Sequence, residues 1–131
     1  MIIVDTSVWI DFFNNNSNWQ TEILDELLTS EIILMGDLIY TEILQGFNKD
    51  KDFEEVKESL SILPFVSMIN REIAIKSANN YRKLRNKGIT VRKTIDSIIA
   101  TYCIENKLKL LHNDKDFKAF EENLKLLTIK K

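Results

Sequence analysis

One cysteine, one histidine, one proline and three glycines are all this sequence has of four residue types that often announce a function. A lone Cys103 closes no internal disulfide, and with only His112 beside it there is no Cys/His ligand set for zinc. That usage points to a reducing cytoplasm. The glycines form neither a Walker loop nor a Gly-x-Gly-x-x-Gly, so the usual phosphate cradles are absent. Long apolar runs are missing too. The longest stretch without a charge, Ser59 to Asn70, covers 12 residues, whereas a membrane-spanning helix wants about 20 apolar ones. Met1 to Asp11 lacks a basic leader and carries an acid at position 5, which does not read as a secretory signal. What remains is 131 residues, 44% hydrophobic and 29% charged, enough for a single domain spanning 1–131. Such a chain buries roughly two-thirds of its unfolded surface and needs neither disulfide nor metal to fold.

The net charge of −2 hides an asymmetry, because residues 1–66 carry 13 acids and 3 bases while residues 67–131 carry 7 acids and 15 bases. The two halves are expected to attract one another. Most of the positive charge lies between Arg71 and Lys93, where Arg71, Lys76, Arg82, Lys83, Arg85, Lys87, Arg92 and Lys93 meet one acid, Glu72. Two readings stand: a solvated helix face offsetting an acidic neighbour, or a footprint for a polyanion.

Met1 to Val4 is a short apolar run stopping at Asp5-Thr6-Ser7, residues that favour turns and helix N-caps, so it reads as a buried strand delivering Asp5 at its carboxyl end. Similar runs at Glu31 to Met35, Leu63 to Met68, Leu108 to Leu111 and Leu124 to Ile129 predict four more strands. Between them a 3.6-residue period predicts helices near Trp19 to Thr29, Leu38 to Phe47, Asp52 to Leu60, Arg71 to Lys87, Ile95 to Asn106 and Lys115 to Glu121. Alternating strands and helices imply a parallel sheet covered on both faces. Pro64, inside a proposed strand, makes that strand an edge or a shorter one.

Several acids sit awkwardly for a surface role. On a helical wheel Glu42 falls about 40° from Leu38, inside the apolar arc of Leu38, Ile39, Tyr40, Ile43, Leu44 and Phe47. Either a cation meets it or the helix is rotated; Gly46 beside it leaves room for an approach. Ile95, Ile98, Ile99, Tyr102 and Cys103 have core-face spacing, and Thr94 is the expected N-cap, which puts Asp96 in the first turn. There an acid serves the helix dipole or serves as a ligand. Asp114, after the fourth strand, is a cap or a ligand, and Asp116 is expected to face solvent. His112 is expected to pack or to hydrogen-bond, with acid–base chemistry the alternative. Asp5, Glu42, Asp96 and Asp114 can all reach one end of a parallel sheet, where so many carboxylates repel unless protonated or neutralised by a metal. Oxygen ligands without histidine or thiolate select Mg²⁺ or Mn²⁺. Such a site suits phosphodiester hydrolysis, with the basic stretch gripping flanking phosphates.

At this point the sequence resembles a PIN-domain ribonuclease, and within that family a VapC-type toxin of a toxin–antitoxin pair. The likeness spans essentially the whole chain and rests on five segments in order. They are Ile3-Val4-Asp5-Thr6-Ser7-Val8-Trp9-Ile10-Asp11; Thr41-Glu42-Ile43-Leu44-Gln45-Gly46; Tyr81-Arg82-Lys83-Leu84-Arg85 with Lys87-Gly88-Ile89-Thr90; Asp96-Ser97-Ile98-Ile99-Ala100; and Asn113-Asp114-Lys115-Asp116-Phe117. The resemblance implies an α/β fold, a three-layer α/β/α domain with a central, mainly parallel sheet of about five strands. It implies a homodimer that cleaves RNA internally with Mg²⁺ or Mn²⁺ and leaves a 5′-phosphate and a 3′-hydroxyl. The acidic quartet is then Asp5, Glu42, Asp96 and Asp114, with Asp116 a helper and Thr6 or Ser7 orienting the water shell of the metal. His112 stands where family members commonly have Thr or Ser. Arg82, Lys83, Arg85, Lys87, Arg92 and Lys93 become the RNA-binding set. The implied partner is a VapB-type antitoxin whose tail lies along the acidic groove, with Trp9, Phe12, Phe13 and Trp19 either lining that contact or packing internally. The alternatives are a housekeeping RNA-processing nuclease, which needs no antitoxin, and a noncatalytic binding module, whose RNA binding would survive EDTA. A receiver-type phosphoacceptor fits poorly, since it would pair acids after the first strand.

Overall fold

Five short strands, β1 (Ile2–Val4), β2 (Ile33–Gly36), β3 (Phe65–Val66), β4 (Lys109–Leu111) and β5 (Leu127–Thr128), pair in the order β3-β2-β1-β4-β5, every pair parallel. They belong to a computed structural model that describes residues 1–131. Seven helices connect them: α1 (Thr6–Phe13), α2 (Trp19–Ser30), α3 (Asp37–Gln45), α4 (Asp50–Leu60), α5 (Arg71–Asn86), α6 (Thr94–Glu105) and α7 (Asp116–Leu124). From β1 the chain steps outward to β2 and β3, then returns to β4 on the other side of β1 and ends at β5. Right-handed crossovers of opposite travel put their helices on opposite faces of a sheet. Accordingly α1 packs on α2 and α3, and α3 on α4, while α5, α6 and α7 pack on one another, completing three layers.

The strands are short because both faces are covered and each needs only a few apolar residues. Ile2, Ile3 and Val4 are all buried, as are Leu110 and Leu111, the continuous apolar pattern of a strand inside a parallel sheet. Trp9, Phe117 and Phe120 are the largest fully buried side chains; burying each such group contributes about 1.5–3 kcal/mol. β3 is an edge strand of two residues directly after Pro64, so the proline shortens it and leaves it outermost. At the end of β2, Gly36 is required by close approach, since an added Cβ would overlap the sulfur of fully buried Met68.

Capping sets the helix boundaries. Asn18 and Thr21 form a reciprocal capping box on α2, and the Asn70 side chain accepts the Ile73 N–H at the start of α5. Three expectations need correction. Helix α1 was not among the predicted helices, yet Asp5 caps it and Val8 and Trp9 anchor it in the core. The N-cap of α6 is Lys93 rather than Thr94, which is the first helical residue and makes no capping hydrogen bond; Asp96 stays in the first turn. The last predicted strand, Leu124 to Ile129, is shorter than expected: α7 takes Leu124, Lys125 turns the chain in a left-handed conformation, and only Leu127–Thr128 is strand. No helix is long and apolar enough to cross a membrane.

Candidate active site

Between the carboxyl ends of β1 and β4 the chain reverses its direction of travel across the sheet. Crevices at such switch points are where open α/β sheets bind ligands. Asp5 stands there, one residue beyond β1, its N–H donating to the Leu111 carbonyl at 2.8 Å. Its side chain is 5% exposed, and Oδ2 accepts from Ser7 Oγ at 2.9 Å and from the Ser7 N–H at 3.4 Å. Thr6 Oγ1 donates to Glu42 Oε1 at 2.7 Å, which ties α1 to α3. Glu42 is half-buried, consistent with its inward place on the wheel. The space expected at Gly46 is taken, because a Cβ there would lie 2.9 Å from Ile10 Cδ1; the glycine admits α1 rather than a ligand.

Asp96 is also 5% exposed, and its Oδ2 is buried with no hydrogen-bond partner. Carboxylate oxygens of Asp96, Asp114 and Asp116 lie within 4.8 Å of one another. The N-cap of α7 is Lys115 rather than Asp114; the Asp114 Oδ1 accepts the Asp116 N–H at 2.9 Å, and its carboxyl joins the cluster. Asp116 does not face solvent: its side chain is 14% exposed and Oδ2 accepts from Arg92 Nε at 3.0 Å, with Nη2 at 2.9 Å. The Asp-x-Asp spacing of Asp114 and Asp116 was the available signal. In the turn after β4 an acid two residues on returns to the same side as the first. His112 packs and hydrogen-bonds, its Nδ1 accepting the Asp114 N–H at 3.2 Å and its ring centroid 5.1 Å from that of Phe117.

Burial and crowding act together on these acids. Burial pushes Asp5 up to about 6, with Glu42 adding repulsion against the Ser7 hydrogen bonds. Burial first, then the carboxylates of Asp5 and Asp114, push Asp96 up to about 7; Lys93 opposes and Glu42 reinforces. Burial lowers His112 below its ordinary value, so the ring is neutral near pH 7. The buried Cys103 thiol is pushed far up and stays inert. An orphan carboxylate oxygen inside an all-oxygen donor set fits a hard divalent cation such as Mg²⁺ or Mn²⁺.

The basic set divides. Arg82, Lys83 and Arg85 are exposed along α5 and form no ion pair, whereas Arg92 is bound to Asp116 and Lys93 lies near Asp96. Lys87 Nζ donates to Asn123 at 3.3 Å. Lys76 bridges Glu72 and Glu105, so Glu72 is not the only acid facing the stretch. The attraction expected between the halves forms no ion pair: all six salt bridges join residues within one half. Trp9 is 1% exposed and belongs to the core, stacked on Phe13 with ring centroids 6.0 Å apart. Phe13 in turn meets Phe47 edge-on, while Trp19 is half-buried beside His112 in a surface cavity.

Comparison with known proteins agrees with this geometry. The family model of the PIN domain matches residues 2–123. VapC ribonuclease Mb1587 of Mycobacterium bovis and ribonuclease VapC11 of Mycobacterium tuberculosis are each 30% identical over 119 residues, 89% of this chain and 89% of theirs. Among solved structures, VapBC2 from Rickettsia felis, bound to a DNA fragment from its promoter, superposes with a TM-score of 0.78 at 19% identity over 98% of each chain.

Proposed function

The chain belongs to the PIN-domain family, among the VapC ribonucleases, and from that premise we propose that it is a metal-dependent endoribonuclease, the toxin of a toxin–antitoxin pair. The observation that carries this reading is the convergence of Asp96, Asp114 and Asp116 within 4.8 Å, with the Asp96 Oδ2 left without a partner. Asp96 and Asp114, with Asp116 beside them, would hold Mg²⁺ or Mn²⁺, and Asp5 and Glu42, which stand outside that 4.8 Å group, would complete the acidic site. A divalent cation in such a site polarises a phosphoryl oxygen and acidifies water. The protein's own share is to keep the acids in place: Ser7 fixes Asp5, Thr6 fixes Glu42, and Arg92 binds Asp116. Arg82, Lys83 and Arg85, with Lys87 and Lys93, draw the phosphates of single-stranded RNA toward the crevice by charge.

A VapB-type antitoxin is the fitting partner, as the solved neighbour is itself a VapBC complex and an acid-lined crevice attracts a basic tail. We place the protein in the cytoplasm, with its substrate. Its homodimer would form through the groove of about 390 Å³ between α5 and α6, where Ile69, Tyr81 and Ile98 are the large apolar side chains and Arg82 also lines the wall. Light scattering on the purified chain tests that assembly.

The direct test is incubation of cellular RNA with the protein in Mg²⁺, Mn²⁺ or EDTA, beside an Asp5→Asn control. Discrete products with 5′-phosphates, present with metal and absent from the variant, are the expected result. Equal cutting by Asp5→Asn would refute the assignment, and RNA binding that persists in EDTA without cleavage under any condition would favour a binding module.

A further inference from the structure

Beside Asp114, on the β4 side of the crevice, the surface opens into a second space. This cavity of about 340 Å³ is reached by Trp19 and Gln20 of α2, by His112 and Asn113 after β4, and by Lys115 and Glu121 at α7. Its volume is at the lower end of small-ligand sites, roughly 300–1,000 Å³.

The groups around it carry a hydrogen-bonding pattern. Gln20 is 7% exposed, and its Nε2 donates to Asn113 Oδ1 at 3.2 Å, which fixes both amides and leaves the Gln20 oxygen as an acceptor. His112 receives the Asp114 N–H on Nδ1, so its neutral ring carries the proton on Nε2 and is a donor there. Glu121, held by Thr128 Oγ1 at 2.9 Å and by Lys130, adds a second acceptor. Trp19 offers an aromatic surface, and Lys115 an exposed cation outside every ion pair. Aromatic stacking with donors and acceptors toward a base edge, and a cation for the backbone, is how proteins read an unstacked RNA base.

We propose that this cavity takes the nucleobase next to the bond that is cut, and that Gln20, His112 and Glu121 choose it. The proposal rests on the ribonuclease reading. Asp114 belongs to both the carboxylate cluster and the cavity wall, so a strand with one phosphate at the cluster brings a neighbouring nucleotide to the cavity. The exposed arginines of α5, by contrast, meet only phosphate and carry no base preference.

Two measurements test it. In EDTA, the four nucleoside 5′-monophosphates are titrated against the intrinsic fluorescence of Trp19; Trp9, fully buried, supplies a constant background. One base is expected to quench more strongly than the others, and Gln20→Leu to abolish the difference. Separately, a randomised single-stranded RNA is cut in Mn²⁺ and the new ends are sequenced. The wild type is expected to favour one base at a fixed position beside the cut. Gln20→Leu should relax that preference by about tenfold, Lys115→Ala should raise KM with kcat unchanged, and Arg82→Ala with Arg85→Ala should slow cutting with the pattern intact. A pattern unchanged in folded Gln20→Leu, or no quenching by any nucleotide, overturns the subsite. Absence of cutting by the wild type overturns the ribonuclease reading instead, and the titration still decides whether the cavity binds a base.

Discussion

Asp5 and Asp96 are held up to about 6 and about 7 from an ordinary value of 3.8. Without metal, the folded chain therefore binds more protons than the unfolded chain between about pH 4 and pH 7, and stability falls as pH rises through that window. Asp5 alone accounts for a loss on the order of 3 kcal/mol at pH 7.5, and Asp96 adds to it in the same direction. His112, lowered by burial, works in the opposite sense below its ordinary 6.5, so the carboxylate effect is best read by difference. Urea melts in EDTA at pH 5 and pH 7.5 should show the wild type losing stability as pH rises and Asp96→Asn, with His112 unchanged, losing much less. Equal losses in both proteins would remove burial of Asp96 as the cause. His112 itself is the acceptor that fixes the Asp114 N–H. Asn or Ser can accept the same N–H of the residue two positions on, whereas Leu keeps only the bulk. Mn²⁺ affinity measured by calorimetry is expected to stay within about threefold of wild type in His112→Asn and to drop about tenfold in His112→Leu, the size of one hydrogen bond. Matching affinities in the two variants would reduce His112 to packing.

Among the elements, α5 divides the labour of the basic stretch. Lys76 is spent on Glu72 and Glu105, while Arg82, Lys83 and Arg85 stay free along the exposed side. Replacing Arg82 and Arg85 with Ala should weaken RNA binding and flatten the dependence of log affinity on log salt by about 0.7 for each phosphate no longer neutralised. A slope that does not move in a titration by fluorescence anisotropy would take α5 out of the interface. The same elements show where the sequence was readable. Val8, Trp9 and Ile10 follow a strand and a cap within a run whose apolar residues are contiguous, so no 3.6-residue period emerges over the eight residues of α1. Strand positions were legible from short apolar runs, but ends were not: Leu124 suits a strand or the last turn of α7, and Lys125 in a left-handed conformation decides it. Glu42 was legible because burial opposes charge. The burial of Asp116 was legible only through its spacing from Asp114, since its partner Arg92 is 24 residues away along the chain.

For the whole molecule, the strand order explains why the site exists only in the complete fold. Asp5 follows β1, Glu42 lies on α3, Asp96 is in the first turn of α6 and Asp114 follows β4, so the four proposed site acids come from four different connections between strands. The alternation of strands and helices made a parallel sheet legible, but it does not specify that β4 returns beside β1, and that return brings Asp96 and Asp114 together. No shorter piece of chain brings these acids together, so a cation held by them would stabilise the native state over the unfolded one. At a free Mn²⁺ concentration 100 times its dissociation constant the gain is about 2.7 kcal/mol. Thermal melts of the wild type should shift upward with Mn²⁺, with far-UV circular dichroism and tryptophan fluorescence moving together, because Trp9 reports the core and Trp19 the cavity beside Asp114. Asp96→Asn should melt cooperatively and show little shift. A Mn²⁺ response as large in Asp96→Asn as in the wild type would place the cation elsewhere, and a fluorescence transition separate from the dichroism would mean the crevice opens without the sheet.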